Sequence, residues 1–171
     1  GDAGIVTTND KKIYDKLLLL RNLGSGQKYV HEIKGGNHRL DTLQAIVLKH
    51  KLPYLQEWNE KRRAIVKKYE AGMNNLKVTL PRTPPRCTPV HHVFPVLVED
   101  PEHFMKYLAN KEVQSGIHYP IIMSEMSMYS HLPCTSARAL EFSKRMVSLP
   151  IHPFMSDAEV QYLCEVINNY N

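Results

Sequence analysis

Gly35-Gly36-Asn37-His38-Arg39, just ahead of Asp41, is a segment whose residue types can hold an anion. Backbone N–H groups at a helix start, together with the positive end of the helix dipole, attract phosphate. Asn37 adds an amide donor and Arg39 a planar cation. A plain helix start would carry the same residues, so this pattern alone leaves both readings open. Ser115-Gly116-Ile117-His118-Tyr119-Pro120 offers an imidazole and a phenol, held between a glycine and a proline at the end of an extended segment. They read either as donors to a ligand or as a half-buried strand terminus. Cys87, His91, His92, His118, His131, Cys134 and His152 show no Cys-x-x-Cys, His-Glu-x-x-His or similar spacing, which argues against a metal site. Lys49, Lys51, Lys61, Arg62, Arg63, Lys67 and Lys68 could meet phosphates. Glu57, Glu60 and Glu70 are interspersed among them, and Trp58 and Tyr69 fall on the apolar stripe. That is the pattern of a solvated helix face rather than a nucleic-acid surface.

The elements that must position these residues follow from periodicity and caps. Gly4 to Thr8 reads as a strand, so a chain opening in mid-strand is expected to be a piece of something longer. Asn9 or Asp10 caps a helix with Ile13, Leu17 and Leu20 on its apolar face, and Leu23-Gly24-Ser25-Gly26 ends it. Residues 25–38 read as a long loop. Asp41-Thr42-Leu43-Gln44 is a capping-box pattern opening a helix with Leu43, Ile46 and Val47 on one face. Pro53 predicts an interruption. The helix then resumes through Leu55, Trp58, Arg62, Ile65 and Tyr69 to a stop at Gly72. Together this reads as a long, bent linking helix.

Beyond it, short strands are expected at 78–80, 90–99 and 147–151, and an extended run at 113–119. Helices are expected after Asp100-Pro101, over 136–145 and after the capping box at Ser156, with an irregular stretch at 123–134. The alternation implies a small α/β layer with helices on one face. The expected division is 1–52 and 53–171.

Of the 171 residues, 43% are hydrophobic and 23% charged, which is enough apolar mass for a core and excludes a disordered chain. A net charge of +5 suits an anionic small ligand or an acidic partner without indicating nucleic acid. No apolar run is long enough to span a membrane and no signal peptide is visible. The three widely spaced cysteines read as reduced thiols of a cytoplasmic protein.

Several segments occur together in one family. Gly1-Asp2-Ala3-Gly4-Ile5-Val6-Thr7-Thr8-Asn9-Asp10 resembles its GDGG…TND segment, and Leu20-Arg21-Asn22-Leu23-Gly24-Ser25 its L-R-N-x-G. Gly36-Asn37-His38-Arg39-Leu40-Asp41-Thr42-Leu43-Gln44-Ala45 resembles G-x-N-x-R-L-D-x-L-Q-A, and Leu55 to Arg63 resembles L-x-x-W-N-x-x-R-R. Gly116 to Pro120 resembles G-I-H-Y-P, and Ser148 to Pro153 resembles S-L-P-x-x-P. The chain is thereby similar to DegT/StrS-type sugar-nucleotide aminotransferases over nearly its whole length.

The resemblance implies the C-terminal part of a fold type I, α/β, pyridoxal 5′-phosphate-dependent enzyme: the end of the large domain, the linking helix and the small domain. Such enzymes act as homodimers and move an amino group, usually from glutamate, onto a nucleotide-linked keto-sugar. The family's Schiff-base lysine lies upstream of the Gly1-Asp2 segment, so this chain alone is expected to be inactive, with no catalytic residue of its own. By the same resemblance Asn37 and Arg39 contact the cofactor, Asn37 reaching its phosphate across the dimer, with pairing to a nearby carboxylate as the alternative, structural role for Arg39. Lys28, Tyr29, His118 and Tyr119 line the substrate site. Gly36 stands where the family usually has a larger residue, and Phe94-Pro95 where a more polar pair is common. The alternative is a non-catalytic dimerisation or binding module derived from that fold.

Overall fold

The computed structural model describes residues 3–129, 131 and 136–171. The chain divides into two compact units, Gly1–Leu55 and Gln56–Asn171.

The first unit contains α1 (Lys11–Arg21), a hairpin of β1 (Ser25–Gln27) and β2 (Val30–His31), and α2 (Thr42–Lys51). Asp10 caps α1, its carboxylate accepting from the N–H groups of Lys12 and Ile13. Helix α2 passes into a single 3-10 turn, Leu52–Tyr54, because Pro53 has no N–H to continue the ladder.

The second unit holds α3 (Leu55–Gly72) from Gln56 onward and continues through β3 (Phe94–Leu97), α4 (Pro101–Asn110), α5 (Ala137–Ser143), β4 (Met146–Leu149) and α6 (Asp157–Asn168). Strands β3 and β4 pair antiparallel, Phe94 opposite Leu149 and Val96 opposite Val147. Single rungs at Thr79–Leu97 and Gly116–Ser148 extend the ladder outward from each strand. Side chains alternate across a sheet. Phe94, Val96, Val147 and Leu149 are all buried, in one cluster with Ile65, Val66 and Tyr69 of α3, Phe104 and Leu108 of α4, and Val160, Leu163 and Ile167 of α6. Full burial of each such side chain is worth about 1.5–3 kcal/mol.

Caps fix the helix ends. The Asp100 carboxylate accepts from the His103 N–H at 2.9 Å, with Pro101 in the first turn of α4. At Ser156 the capping box is complete in both directions. Gly72, the last residue of α3, serves packing: a Cβ there would lie 2.9 Å from Cys164 Sγ, so glycine lets α3 and α6 approach closely. Asn168 of α6 then donates to the Gly72 carbonyl at 2.8 Å and accepts from the Asn74 N–H at 2.8 Å, satisfying groups the helix end leaves free.

Several local expectations are corrected. Residues 4–8 form no strand; among the described residues nothing pairs with them, and Ile5 and Val6 are exposed. A strand needs a neighbour for its N–H and C=O groups. Residues 25–38 are not all loop, since β1 and β2 lie within them. Asp41 caps α2 by position only, with no side-chain bond, so the capping box is not made. Leu43, Ile46 and Val47 form an exposed face, Leu43 at 79%. The expected strand over 90–99 is shortened to β3, because His91 turns into the left-handed region at φ 49°. The segments at 78–80 and 113–119 contribute one rung each. The helix at 136–145 is confined to α5. Of the irregular 123–134 stretch, two 3-10 turns are seen, Met123–Glu125 and Ser127–Tyr129, while 130 and 132–135, with Cys134, lie outside the described residues.

Candidate functional site

The exit of α1 organises the first set of candidate residues. The last four carbonyls of a helix have no partner inside it. Here the N–H of Gly36 reaches Leu20 O and that of His38 reaches Arg21 O, both at 2.9 Å. The N–H of Leu23 in turn reaches Gly36 O at 2.9 Å. Residues 36–38 thus run antiparallel along the helix end, with a bridge between Asn22 and Asn37. Alternate N–H groups, at 36 and 38, bond inward and leave Asn37 exposed at the edge.

The chain turns sharply to allow this. Leu23 lies at φ 60° and Gly24 at φ 73°, so the left-handed exit begins one residue before the glycine. Glycine is obligatory at 24, because a Cβ would fall 1.7 Å from Ile33 O.

Asn37 and Arg39 are brought together. Arg39 Nε donates to Asn37 Oδ1 at 3.0 Å and its Nη1 donates to Asn22 Oδ1 at 3.3 Å. Arg39 pairs with these two amide oxygens; among the described residues no carboxylate forms an ion pair with it. Asn22, Arg39, Arg21 and Asp15 line an open cleft of about 530 Å³. The contacts that place Asn37 come from the C-terminal end of α1, where guanidinium groups offset the negative end of the helix dipole.

Lys28 and Tyr29 are the two residues of the β1–β2 turn, since Gln27 pairs with Val30. Tyr29 occupies φ 69°, a conformation a bulky side chain rarely adopts, and is 84% exposed. The Lys28 ammonium lies 5.0 Å from the centre of the Tyr29 ring, in cation–π range. His31 Nδ1 bonds Leu23 O at 2.9 Å and the Glu32 N–H bonds Gly24 O at 2.8 Å, so the hairpin is anchored on the same helix exit as Asn37.

His118 and Tyr119 belong to the second unit and are placed by its sheet. Gly116 and Ser148 exchange backbone hydrogen bonds at 3.3 and 2.7 Å. Two residues on, His118 Nδ1 meets Ser148 Oγ at 2.9 Å. With Nδ1 engaged, Nε2 is the ring nitrogen left for a ligand. Tyr119, at φ 59° and 76% exposed, is the second candidate residue held in the left-handed region. Such outliers cluster at sites where a side chain must be aimed.

Asn22 and Ser148 hold candidate residues in place, yet neither stands out by type. Each lies inside a motif quoted above, and an amide or hydroxyl without acid–base chemistry reveals its role only through contact. Among the described residues no group of three or more His, Cys, Asp or Glu could hold a metal ion. No helix among them is long and apolar enough to cross a membrane.

Residues 1–168 match the DegT/DnrJ/EryC1/StrS aminotransferase family. The chain is 41% identical to the dTDP-3-amino-3,6-dideoxy-alpha-D-galactopyranose transaminase of Aneurinibacillus thermoaerophilus, over 98% of this chain and 47% of the relative. It is 38% identical to the erythromycin biosynthesis sensory transduction protein EryC1 of Saccharopolyspora erythraea, over 91% of this chain and 44% of the relative. The crystal structure of Streptomyces venezuelae DesV superposes with a TM-score of 0.86 at 33% identity, over 94% of this chain and 44% of that one. The chain therefore spans about half the length of the relatives it matches.

Proposed function

This chain belongs to the DegT/DnrJ/EryC1/StrS aminotransferase family, and from that premise we propose that it is the C-terminal part of a pyridoxal 5′-phosphate-dependent sugar aminotransferase. The proposed reaction moves an amino group from glutamate to a nucleotide-linked keto-sugar, in a homodimer with sites at the subunit interface. The transaminase name of the Aneurinibacillus relative supports this reading, as does the half-length match. The proposed boundary between large-domain remnant and small domain lies near residues 52–53.

The observation that carries the proposal is the Asn37 carboxamide. Its oxygen accepts from Arg39 and the residue is exposed, which leaves its two N–H donors for an anion, the chemistry a phosphate needs. Asn37 would hold the cofactor phosphate with Arg39 behind it. Lys28 would offer a mobile positive charge to the diphosphate. His118, through Nε2, and the Tyr119 hydroxyl would orient the sugar. When bound, the cofactor supplies the electron sink for amino transfer; the chain's own residues supply binding and orientation. The reactive lysine is proposed to come from a segment outside this sequence.

The test is borohydride reduction of the full-length protein with pyridoxal 5′-phosphate, followed by mass spectrometry. A pyridoxyl-labelled lysine is expected in the full-length protein and none in the 171-residue chain alone. A full-length protein that takes no label would overturn the proposal. It would favour the second reading, a non-catalytic binding module, for which the sensory-transduction name of the Saccharopolyspora relative speaks.

A further inference from the structure

We infer that Asn22 and Arg39 form a positioning relay that fixes which side of the Asn37 carboxamide is offered to an anion; the inference rests on the phosphate role proposed for Asn37. A guanidinium carries only N–H donors. The atom of Asn37 that faces Arg39 Nε, 3.0 Å away, must therefore be its oxygen. The amide nitrogen is turned the opposite way. A carboxamide free to rotate would present oxygen and nitrogen alternately, and an oxygen turned toward a phosphate repels it.

Arg39 is itself held in one orientation. Its Nη1 donates to Asn22 Oδ1 at 3.3 Å, and this again forces the oxygen of Asn22 toward the guanidinium. The Asn22 nitrogen then donates to the backbone carbonyl of Ser25 at 3.1 Å, at the start of β1. Asn22 donates to the fixed backbone acceptor at Ser25, and Arg39 donates on both sides, to Asn22 and to Asn37, so the oxygen of each carboxamide is turned toward the guanidinium. The backbone bridge between Asn22 and Asn37 keeps the two ends of the relay in register. Arg39 fits this place because its planar fork reaches two oxygens at once, which the single ammonium of a lysine does not reproduce. Asn22 and Arg39 act through Asn37 and are positioning residues.

The test compares the affinity of the full-length protein for pyridoxal 5′-phosphate with its affinity for pyridoxal, which lacks the phosphate. The ratio of the two measures the phosphate contribution alone. Asn37→Ala is expected to lower that ratio about 10- to 100-fold, the range for losing a hydrogen bond to a charged group. Asn22→Ala and Arg39→Lys are expected to lower it roughly three- to tenfold, with pyridoxal affinity unchanged. The double variant Asn22→Ala/Asn37→Ala should be no worse than Asn37→Ala, because the relay has nothing left to orient. If Asn22→Ala does not fold, Arg39→Lys carries the test. A wild-type ratio in Asn22→Ala and Arg39→Lys, beside a reduced one in Asn37→Ala, would overturn the relay and leave the phosphate role standing. Equal losses of pyridoxal and pyridoxal 5′-phosphate would also overturn it, marking Asn22 as a general support of the turn. A wild-type ratio in Asn37→Ala would sink the phosphate reading itself.

Discussion

Among the described residues, only Gly24 is buried up to Leu55, whereas those of 56–171 close around nineteen buried hydrophobic side chains. The two regions do not differ in apolar patterning. Helix α2 carries Leu43, Ile46 and Val47 at helical spacing, and α3 carries Ile65, Val66 and Tyr69 in the same manner. One stripe is covered within its own unit and the other faces outward. An amphipathic stripe therefore specifies that a helix has a side to cover, without specifying what covers it. The candidate residues divide along the same line. Asn37, Arg39, Lys28 and Tyr29 hang on the turn that ends α1, while His118 is tied to a sheet whose other face is core. Charge is uneven too: nine Lys and Arg stand against five Asp and Glu in residues 1–55, so four of the five net positive charges lie there.

Truncation is the strongest way to break this comparison. Phe94→Ala empties a fully buried position and should cost about 3–5 kcal/mol, whereas Leu43→Ala on the exposed face should stay within about 0.5 kcal/mol. Denaturant unfolding of the 171-residue chain reads both, and similar losses from the two substitutions would mean that the first unit has a core of its own.

A smaller effect sharpens the description of the second unit. The Tyr69 hydroxyl donates to Pro150 O at 2.8 Å from a buried ring, and burial holds its pKa far above the ordinary phenol value. Tyr69→Phe leaves that carbonyl without its partner and should cost about 1–2 kcal/mol in thermal unfolding. No change in stability would show the carbonyl to be satisfied another way.

The smallest effect compares the two helix caps. Hydrogen bonds from the Ser156 backbone and side chain hold the Glu159 carboxyl below its usual pKa of 4.5. A carboxylate with a depressed folded pKa stabilises above the unfolded value and loses that contribution as pH falls through the folded one. Stability measured between neutral pH and pH 3 should therefore show an acid limb below about 4.5 that Glu159→Gln flattens. Asp41→Asn, at a cap with no side-chain bond, should change stability at neutral pH by no more than about 0.5 kcal/mol.

Sequence and structure agree most closely where one short pattern settles one local geometry. Asp10, Asp100 and Ser156 cap as their types and positions require, and Pro53 interrupts where it stands. The α/β class, the stripe of α3 and the buried positions of α6 were legible for the same reason. Strand extents were not, because pairing depends on partners far away in the chain: residues 4–8 look like a strand yet have no pairing neighbour among the described residues, and 113–119 supplies one rung. Asp41 with Gln44 satisfies the capping-box spacing without making the bonds, since that spacing permits the contact and does not enforce it. Of the candidate site, Asn37 and His118 could be nominated from motifs. Their holders, Asn22 and Ser148, lie within motifs too, but their supporting role was not legible, because a supporting amide or hydroxyl is defined by the distance it closes.

Ser148 is buried within a strand whose two neighbouring residues, Val147 and Leu149, belong to the core, and its hydroxyl holds the His118 ring. An exposed imidazole of this unit is thereby keyed to its innermost layer. The orientation of that ring has a hidden dial at position 148, where alanine would unmoor it and threonine would keep the hydroxyl while nudging its aim. The aim of the ring could drift through such interior edits while the visible rim stayed the same, so two chains with identical surface residues need not present that imidazole in the same direction.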